Sequence, residues 1–449
     1  MKVGIVLYPI NDLGGIISHT EQLAFGLREL GHQVTLHILY WQESFRQPYQ
    51  DRELLKRGWV NGAFCVVNQQ SGWNAVPWKH KLSYLGERNL NRTKEILSKY
   101  DLVIWEVPVP SKAKVNQGNS DWLSLYGACQ KNIAILHDGN LFNIPWIFGV
   151  RKYFTGIACV HECAFNLGRN LDVPRSLILN PQDLSGIEEI YDYLDRDPGF
   201  LSLQVFKSWK HVDDLLRAIP YMDSSLKKFV AGGGIEQRYM VAKEKIKDRY
   251  FCRGKDDPDL HPSVENAATR IWDRARYYGM NYLGFISPFK RDIILSGVRT
   301  LIDPSWSRRY NEHGSHFNRV VVDAIKRGAI PIAINLGMSN DYSGRGSIFK
   351  PDENYIMIPY DATPKEYAKI VEYGNSLTRN EAEAIISNNY DLMYLFDRRK
   401  VAQDFIDLSN GKSCGFFNKR FKGEASSTLR KASNEGIKFF RKKIFGRNK

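Results

Sequence analysis

From Thr300 to Gly337 the chain reads TLIDPSWSRRYNEHGSHFNRVVVDAIKRGAIPIAINLG, in which a short apolar run, a polar loop, an amphipathic stretch and a second apolar run follow one another. Leu301 and Ile302 before Asp303-Pro304-Ser305 predict a buried strand that stops at the proline, which has no amide hydrogen for a ladder. Phe317, Val320, Val321, Ala324 and Ile325 recur at helical spacing and predict a helix over 316–327, with Gly328 as its left-handed cap. Ser315, Arg319, Asp323 and Arg327 lie four apart and form one polar row. AIPIAIN predicts the next strand. Such a βαβ unit has a right-handed crossover, which sets the loop and helix start over the carboxyl ends of the strands, where ligands bind. Amides near His316, Phe317 and Asn318 suit a phosphate, and Asp323 suits ribose or sugar hydroxyls. A surface pair between Asp323 and Arg327 is the alternative.

The same alternation fills the rest of the chain. Lys2 to Leu7 is an apolar run of the kind found in central parallel strands. DLGGIISHTEQLAFGLRELGHQVTLHILY continues it as loop, helix and strand, with Leu23, Ala24, Leu27 and Leu30 on one helix face. Gly14 and Gly15 permit a tight loop with backbone close to a ligand. Further strands are expected at Ala63–Val67, Leu102–Trp105, Asn132–Leu136 and Gly156–Val160, so the fold class is α/β with doubly wound sheets. A connection over 183–197 separates an N-terminal domain, 1–182, from a second series over 198–378 that starts with FLSLQV. Helical patterns over 379–410 close the folded part, and 411–449 is a tail.

At 449 residues the chain exceeds one ordinary core, and 43% apolar with 12% aromatic residues exclude a disordered protein. No apolar run approaches the roughly 18 residues of a membrane span, and Met-Lys-Val-Gly-Ile-Val lacks a signal-peptide layout, so a cytoplasmic location is expected, a host's if the source is viral. The six cysteines form no CxxC pair. CVHEC at Cys159–Cys163 is the nearest approach to a metal site, and no metal is expected. Of the net charge of +14, residues 411–449 carry +10. That tail interleaves Phe439, Phe440 and Phe445 with lysines and arginines, which suits DNA phosphates or an anionic membrane surface.

Three stretches carry candidate chemistry. KSWKHVDDLLRAI places Lys207 and Lys210 at a helix start, where basic groups could hold a leaving diphosphate, with solvated lysines as the alternative. FVAGGGIE is a strand and glycine turn, and Gly234 and Glu236 are donor-side candidates. ILHDGN sets His137 and Asp138 past a buried strand, on the same sheet edge as Gly14 and Gly15. Asp138 could act as base toward an acceptor hydroxyl and His137 could bond a sugar hydroxyl; a turn that Asp138 and Gly139 stabilise is the alternative. Asp256-Asp257-Pro258-Asp259 is taken as turn chemistry rather than a metal-binding acidic motif.

The 300–337 stretch resembles the nucleotide-sugar signature of family-4 glycosyltransferases of GT-B architecture. In that signature a serine after a strand leads to E-x7-E and a G-x-P strand; Asp323 falls on the second acid, and Ser315 stands in place of the first. The GG-helix-GHQVTL opening resembles the same family. His137-Asp138, DLVIWEVPVP, SWK and GGGIE look similar to bacteriophage DNA alpha-glucosyltransferases. The resemblance implies two Rossmann-like domains facing a cleft and retaining transfer from a nucleotide sugar, taken as a UDP-sugar, with no further cofactor. The acceptor it implies is a hydroxymethylated base in DNA. A lipid-linked or envelope glycan at a membrane surface remains open, as does a non-catalytic binder of DNA or nucleotide sugar.

Overall fold

The computed structural model describes residues 1–7, 15–40, 81–86, 90–106, 125–137, 151–160, 172–185, 192–204, 210–232, 264–284, 286–305, 319–334, 348–359 and 361–412, with 165, 187 and 336 between them. The strands are β1 (Lys2–Leu7), β2 (Gln33–Tyr40), β3 (Lys81–Gly86), β4 (Leu102–Trp105), β5 (Asn132–Leu136), β6 (Gly156–Cys159), β7 (Arg175–Leu177), β8 (Asp197–Gln204), β9 (Lys227–Gly232), β10 (Met280–Tyr282), β11 (Val298–Asp303), β12 (Ile330–Ala333) and β13 (Ile356–Met357). The helices are α1 (Gly15–Glu29), α2 (Leu90–Leu97), α3 (Val212–Ala218), α4 (Val264–Tyr277), α5 (Pro288–Gly297), α6 (Arg319–Lys326), α7 (Pro364–Asn375), α8 (Arg379–Met393) and α9 (Arg398–Ser409). The strand expected at Ala63–Val67, the acidic turn at Asp256–Asp259 and the tail beyond Lys412 lie outside the described residues. No described helix is long and apolar enough to cross a membrane.

The chain forms two compact units, the first running to Leu184 and taken up again at Tyr394, the second spanning Ser185–Met393. In the first unit seven parallel strands run in the order β3-β2-β1-β4-β5-β6-β7. Winding outward from β1 in both directions leaves a switch point between β1 and β4, the place where a doubly wound sheet opens a crevice at its carboxyl edge. Both faces are covered, which is why these strands are continuous apolar runs. Leu102 and Ile104 of β4 join Val3, Ile5, Leu23, Ala24, Leu27, Val401 and Phe405 in one core, while Val103 and Trp105 join Val6, Leu125 and Tyr126 in the other.

The helix α9 closes the first of those cores from far along the chain. The backbone of Gln182 holds its start, with Gln182 N–H donating to Phe396 O at 2.7 Å and Arg398 N–H donating to Gln182 O at 3.0 Å. Arg398 pairs with Glu29 of α1 and, at 3.1 Å, with Asp183. Gly26 of α1 sits under this contact, where a Cβ would stand 2.0 Å from the Arg398 carbonyl oxygen. Ala382 and Ile385 of α8 are built into the core of the second unit, and the first unit resumes at Tyr394.

The second unit repeats the plan with six parallel strands in the order β10-β9-β8-β11-β12-β13 and a switch point between β8 and β11. Helix α6 is described over Arg319–Lys326, within the expected 316–327, of which 316–318 lie outside the described residues, and Gly328 takes φ +67° as its cap requires. Thr363 and Glu366 form a capping box on α7, with Pro364 as its first residue.

Candidate active site

At the switch point of the first unit, three side chains that local sequence does not connect come together. Glu106 directly follows β4, with its N–H still donating to Val6 O of β1 at 2.9 Å. It is fully buried, as is His19, which rides on α1. His137 directly follows β5 and keeps 13% side-chain exposure. Glu106 Oε1 lies 2.9 Å from His19 Nδ1, and its Oε2 lies 2.7 Å from His137 Nε2. The two imidazoles meet edge to face, 4.8 Å between centroids, and Phe405 of α9 stands 6.3 Å behind His19.

Burial alone raises the Glu106 carboxyl. The His19 charge and hydrogen bonds from both rings outweigh it and bring it down to about 2. Glu106 is therefore a carboxylate in all ordinary conditions, a buried anion between two imidazoles. The arrangement also contains the donor types of a metal site, within 4.8 Å of one another. Its contacts of 2.7 and 2.9 Å are hydrogen-bond lengths, whereas ligand atoms on a tetrahedral ion with bonds of about 2.0 Å stand about 3.3 Å apart. Cys159 of the CVHEC segment is buried and its thiol is pushed up to about 12 by burial, against the pull of Arg175, so it is a poor source of thiolate.

The second switch point carries its own polar cluster. Gln204 at the end of β8 donates through Nε2 to Asp303 Oδ1 at the end of β11, at 2.9 Å, and the Ser305 amide donates to the same oxygen at 3.1 Å. All three residues are buried. Gly232, at the end of β9, lies against the backbone of Gln204: at φ +114°, a Cβ there would fall 1.8 Å from the Gln204 carbonyl oxygen. The glycine turn after β9 thus begins with a position that only glycine fills.

Of the sequence-predicted residues, His137 stands in the first cluster and Asp138 next to it lies outside the described residues, as do Gly14, Lys207, Gly234, Glu236, Ser315, His316, Phe317 and Asn318. Gly15 opens α1, and Lys210 is half-buried two residues ahead of α3. Asp323 is buried on α6 and accepts from Arg291 of α5 at 2.7 Å. Its alternative partner, Arg327, instead bonds Asp292 at 3.0 Å, so the sequence-local pair does not form. Burial works against the charge of Arg291, and Asp323 and Asp292 more than restore it, raising its pKa. Sequence reasoning passed over His19 and Glu106. Their signal was a lone carboxylate at the end of a buried strand, in LVIWE, and a histidine four residues past a GG pair.

No protein-family model matches the sequence, and no curated protein matches it significantly. Solved structures do match in fold. HepE of Anabaena, crystallised with UDP and glucose, superposes with a TM-score of 0.60 at 12% identity over 92% of this chain and all of that one. An alpha-glucosyltransferase bound to UDP and a 13-mer DNA containing an HMU base gives 0.56 at 10% identity, covering 91% and 99%. The pneumococcal O-GlcNAc transferase GtfA with UDP and GlcNAc gives 0.55 at 11%, covering 92% and 99%. The fold of this chain is the two-domain, Rossmann-like GT-B fold of such glycosyltransferases.

Proposed function

We propose that this protein is a glycosyltransferase that moves a sugar from a UDP-sugar onto an acceptor hydroxyl, with retention at the anomeric carbon. The observation that carries the reading is the pair of doubly wound sheets, each with buried polar side chains gathered at its switch point. Similarity in fold to proteins crystallised with UDP and a sugar supports the donor class. In this reading the loop through Gly14 and Gly15 and the glycine turn with Gly234 and Glu236 approach the donor. Lys207 and Lys210 stabilise the diphosphate as it leaves. The segment Ser315, His316, Phe317 and Asn318, with Asp323, contacts donor phosphate and hydroxyls. His137 bonds a sugar hydroxyl, and Asp138 acts at the acceptor.

The acceptor proposed is a hydroxymethylated base in DNA, as the similar alpha-glucosyltransferase was crystallised with DNA containing such a base. The basic, aromatic tail favours a second reading, a lipid-linked or envelope glycan at an anionic membrane surface. Incubation of the protein and labelled UDP-sugar with hydroxymethylated DNA, unmodified DNA or anionic vesicles bearing a lipid-linked sugar separates the two. Label in hydroxymethylated DNA alone is the expected result. Label in the vesicles moves the acceptor to the membrane, and donor binding with no transfer to anything leaves a non-catalytic binder.

A further inference from the structure

We infer that His211 is a positioning residue, whose left-handed backbone and contact with Asp214 fix the place of Lys210 at the carboxyl edge of the second sheet. Strand β8 reaches that edge at Gln204, and Lys210 and His211 stand immediately ahead of α3. His211 takes φ +47° and ψ +31°. Asp352 is the other residue besides glycine with a positive φ among the described residues, and it lies in an exposed turn, whereas His211 is buried. A residue with a Cβ stays in this region only where its surroundings outweigh the strain, and such residues gather at ligand sites.

The surroundings of His211 hold it on the helix side. Its Nδ1 lies 3.0 Å from Asp214 Oδ2, and its carbonyl accepts from the Asp214 N–H at 3.1 Å. Val212, Leu215 and Leu216 of α3 are built into the core of the second unit, so the helix cannot follow a change at 211. A right-handed residue here would add Lys210 to the spiral of α3, one turn ahead of Asp214, where opposite charges pair along a helix face. The left-handed residue takes the backbone of Lys210 off that spiral, and the imidazole occupies an oxygen of Asp214. The turn at 211 therefore sets where the cation stands. What Lys210 meets there, a leaving diphosphate, rests on the glycosyl-transfer reading above; the turn does not.

The test is a double-mutant cycle on UDP release from a UDP-sugar, with a melting curve for every variant. His211→Ala keeps a Cβ and loses the tie to Asp214, His211→Gly loses the tie but admits the left-handed turn, and His211→Asn admits the turn and keeps an amide for Asp214. His211→Ala should lower kcat about 10- to 100-fold with the donor KM nearly unchanged, as misplacement of a group acting in the transition state does. In a Lys210→Ala background the same change should alter kcat by less than about twofold, since the cation it misplaces is gone. His211→Asn should recover most of the loss, and both the glycine and asparagine variants should melt above the alanine one. An equal loss with and without Lys210 overturns the inference, as does wild-type kcat in His211→Ala. An alanine variant that melts as high as the other two also overturns it, whatever the turnover. If His211→Ala does not fold, the asparagine variant must still exceed the glycine variant in kcat, and equality of the two overturns the tie. The expected order of melting without turnover of any nucleotide sugar by the wild type would instead sink the transferase reading and leave the turn standing.

Discussion

Replacing Gly26 with alanine sets one methyl group against a backbone that cannot yield alone. The new Cβ would stand 2.0 Å from the Arg398 carbonyl oxygen and 3.1 Å from the Ala402 Cβ, and real Cβ atoms stay beyond 3.0 Å, so α1 and α9 must part by at least 1.0 Å. Overpacking of this kind costs about 1–3 kcal/mol. The parting loosens a core that holds Leu23, Leu27, Val401 and Phe405, and it draws His19 on α1 away from Glu106. For a unit of this size each kcal/mol lowers the melting temperature by about 2–4 °C, so a fall of about 2–12 °C is expected in the transition reported by the buried Trp105. Gly297→Ala is the control, since nothing lies within 4 Å of a Cβ there. A Gly26→Ala transition within about 1 °C of the wild type would refute the close packing of α9 on α1.

Asp323→Ala should weaken donor binding at least about tenfold by calorimetry, through loss of a charged contact worth about 1.5–3 kcal/mol; unchanged affinity would leave Asp323 only its pair with Arg291. Glu106 has its folded pKa depressed from the ordinary 4.5 to about 2, so it contributes stability above pH 4.5 that is lost as pH falls through 2, about 3 kcal/mol in all. Urea midpoints of wild type and Glu106→Gln measured from pH 7 downward should therefore converge below pH 4.5, and a constant gap would contradict the buried carboxylate. Lys210→Ala should lower turnover more than donor affinity, because the diphosphate charge grows as the bond breaks; an unchanged rate would put the phosphate contact elsewhere. Deleting residues 424–449 should weaken DNA binding and flatten its salt dependence, while Phe439→Ser with Phe440→Ser should leave DNA binding alone. If the serines abolish vesicle binding instead, the tail is a membrane element.

What the sequence disclosed follows the range of the forces concerned. Strands β1, β4 and β5 were legible because a strand buried on both faces is a continuous apolar run, and helix α6 because Val320, Val321, Ala324 and Ile325 keep helical spacing up to Gly328. Strand β3, KLSYLG, has no such run, and β13 is two residues whose pairing with β12 alone defines it. The site was legible only in part. His137 showed as a polar residue past a strand, but its partners are 31 and 118 positions away in sequence, and only the strand order around β1 and β4 brings them to one edge. The pair of Asp323 with Arg291 was hidden for the same reason, since side-chain spacing within one helix suggests Arg327 and says nothing of α5.

The most direct test of the account is nucleoside diphosphate release from a panel of nucleotide sugars, measured with and without hydroxymethylated DNA. The account predicts UDP release from at least one UDP-sugar, stimulated by that DNA and reduced in Lys210→Ala and Glu106→Gln. No release of any nucleoside diphosphate from any donor, with the acceptor present, would contradict it.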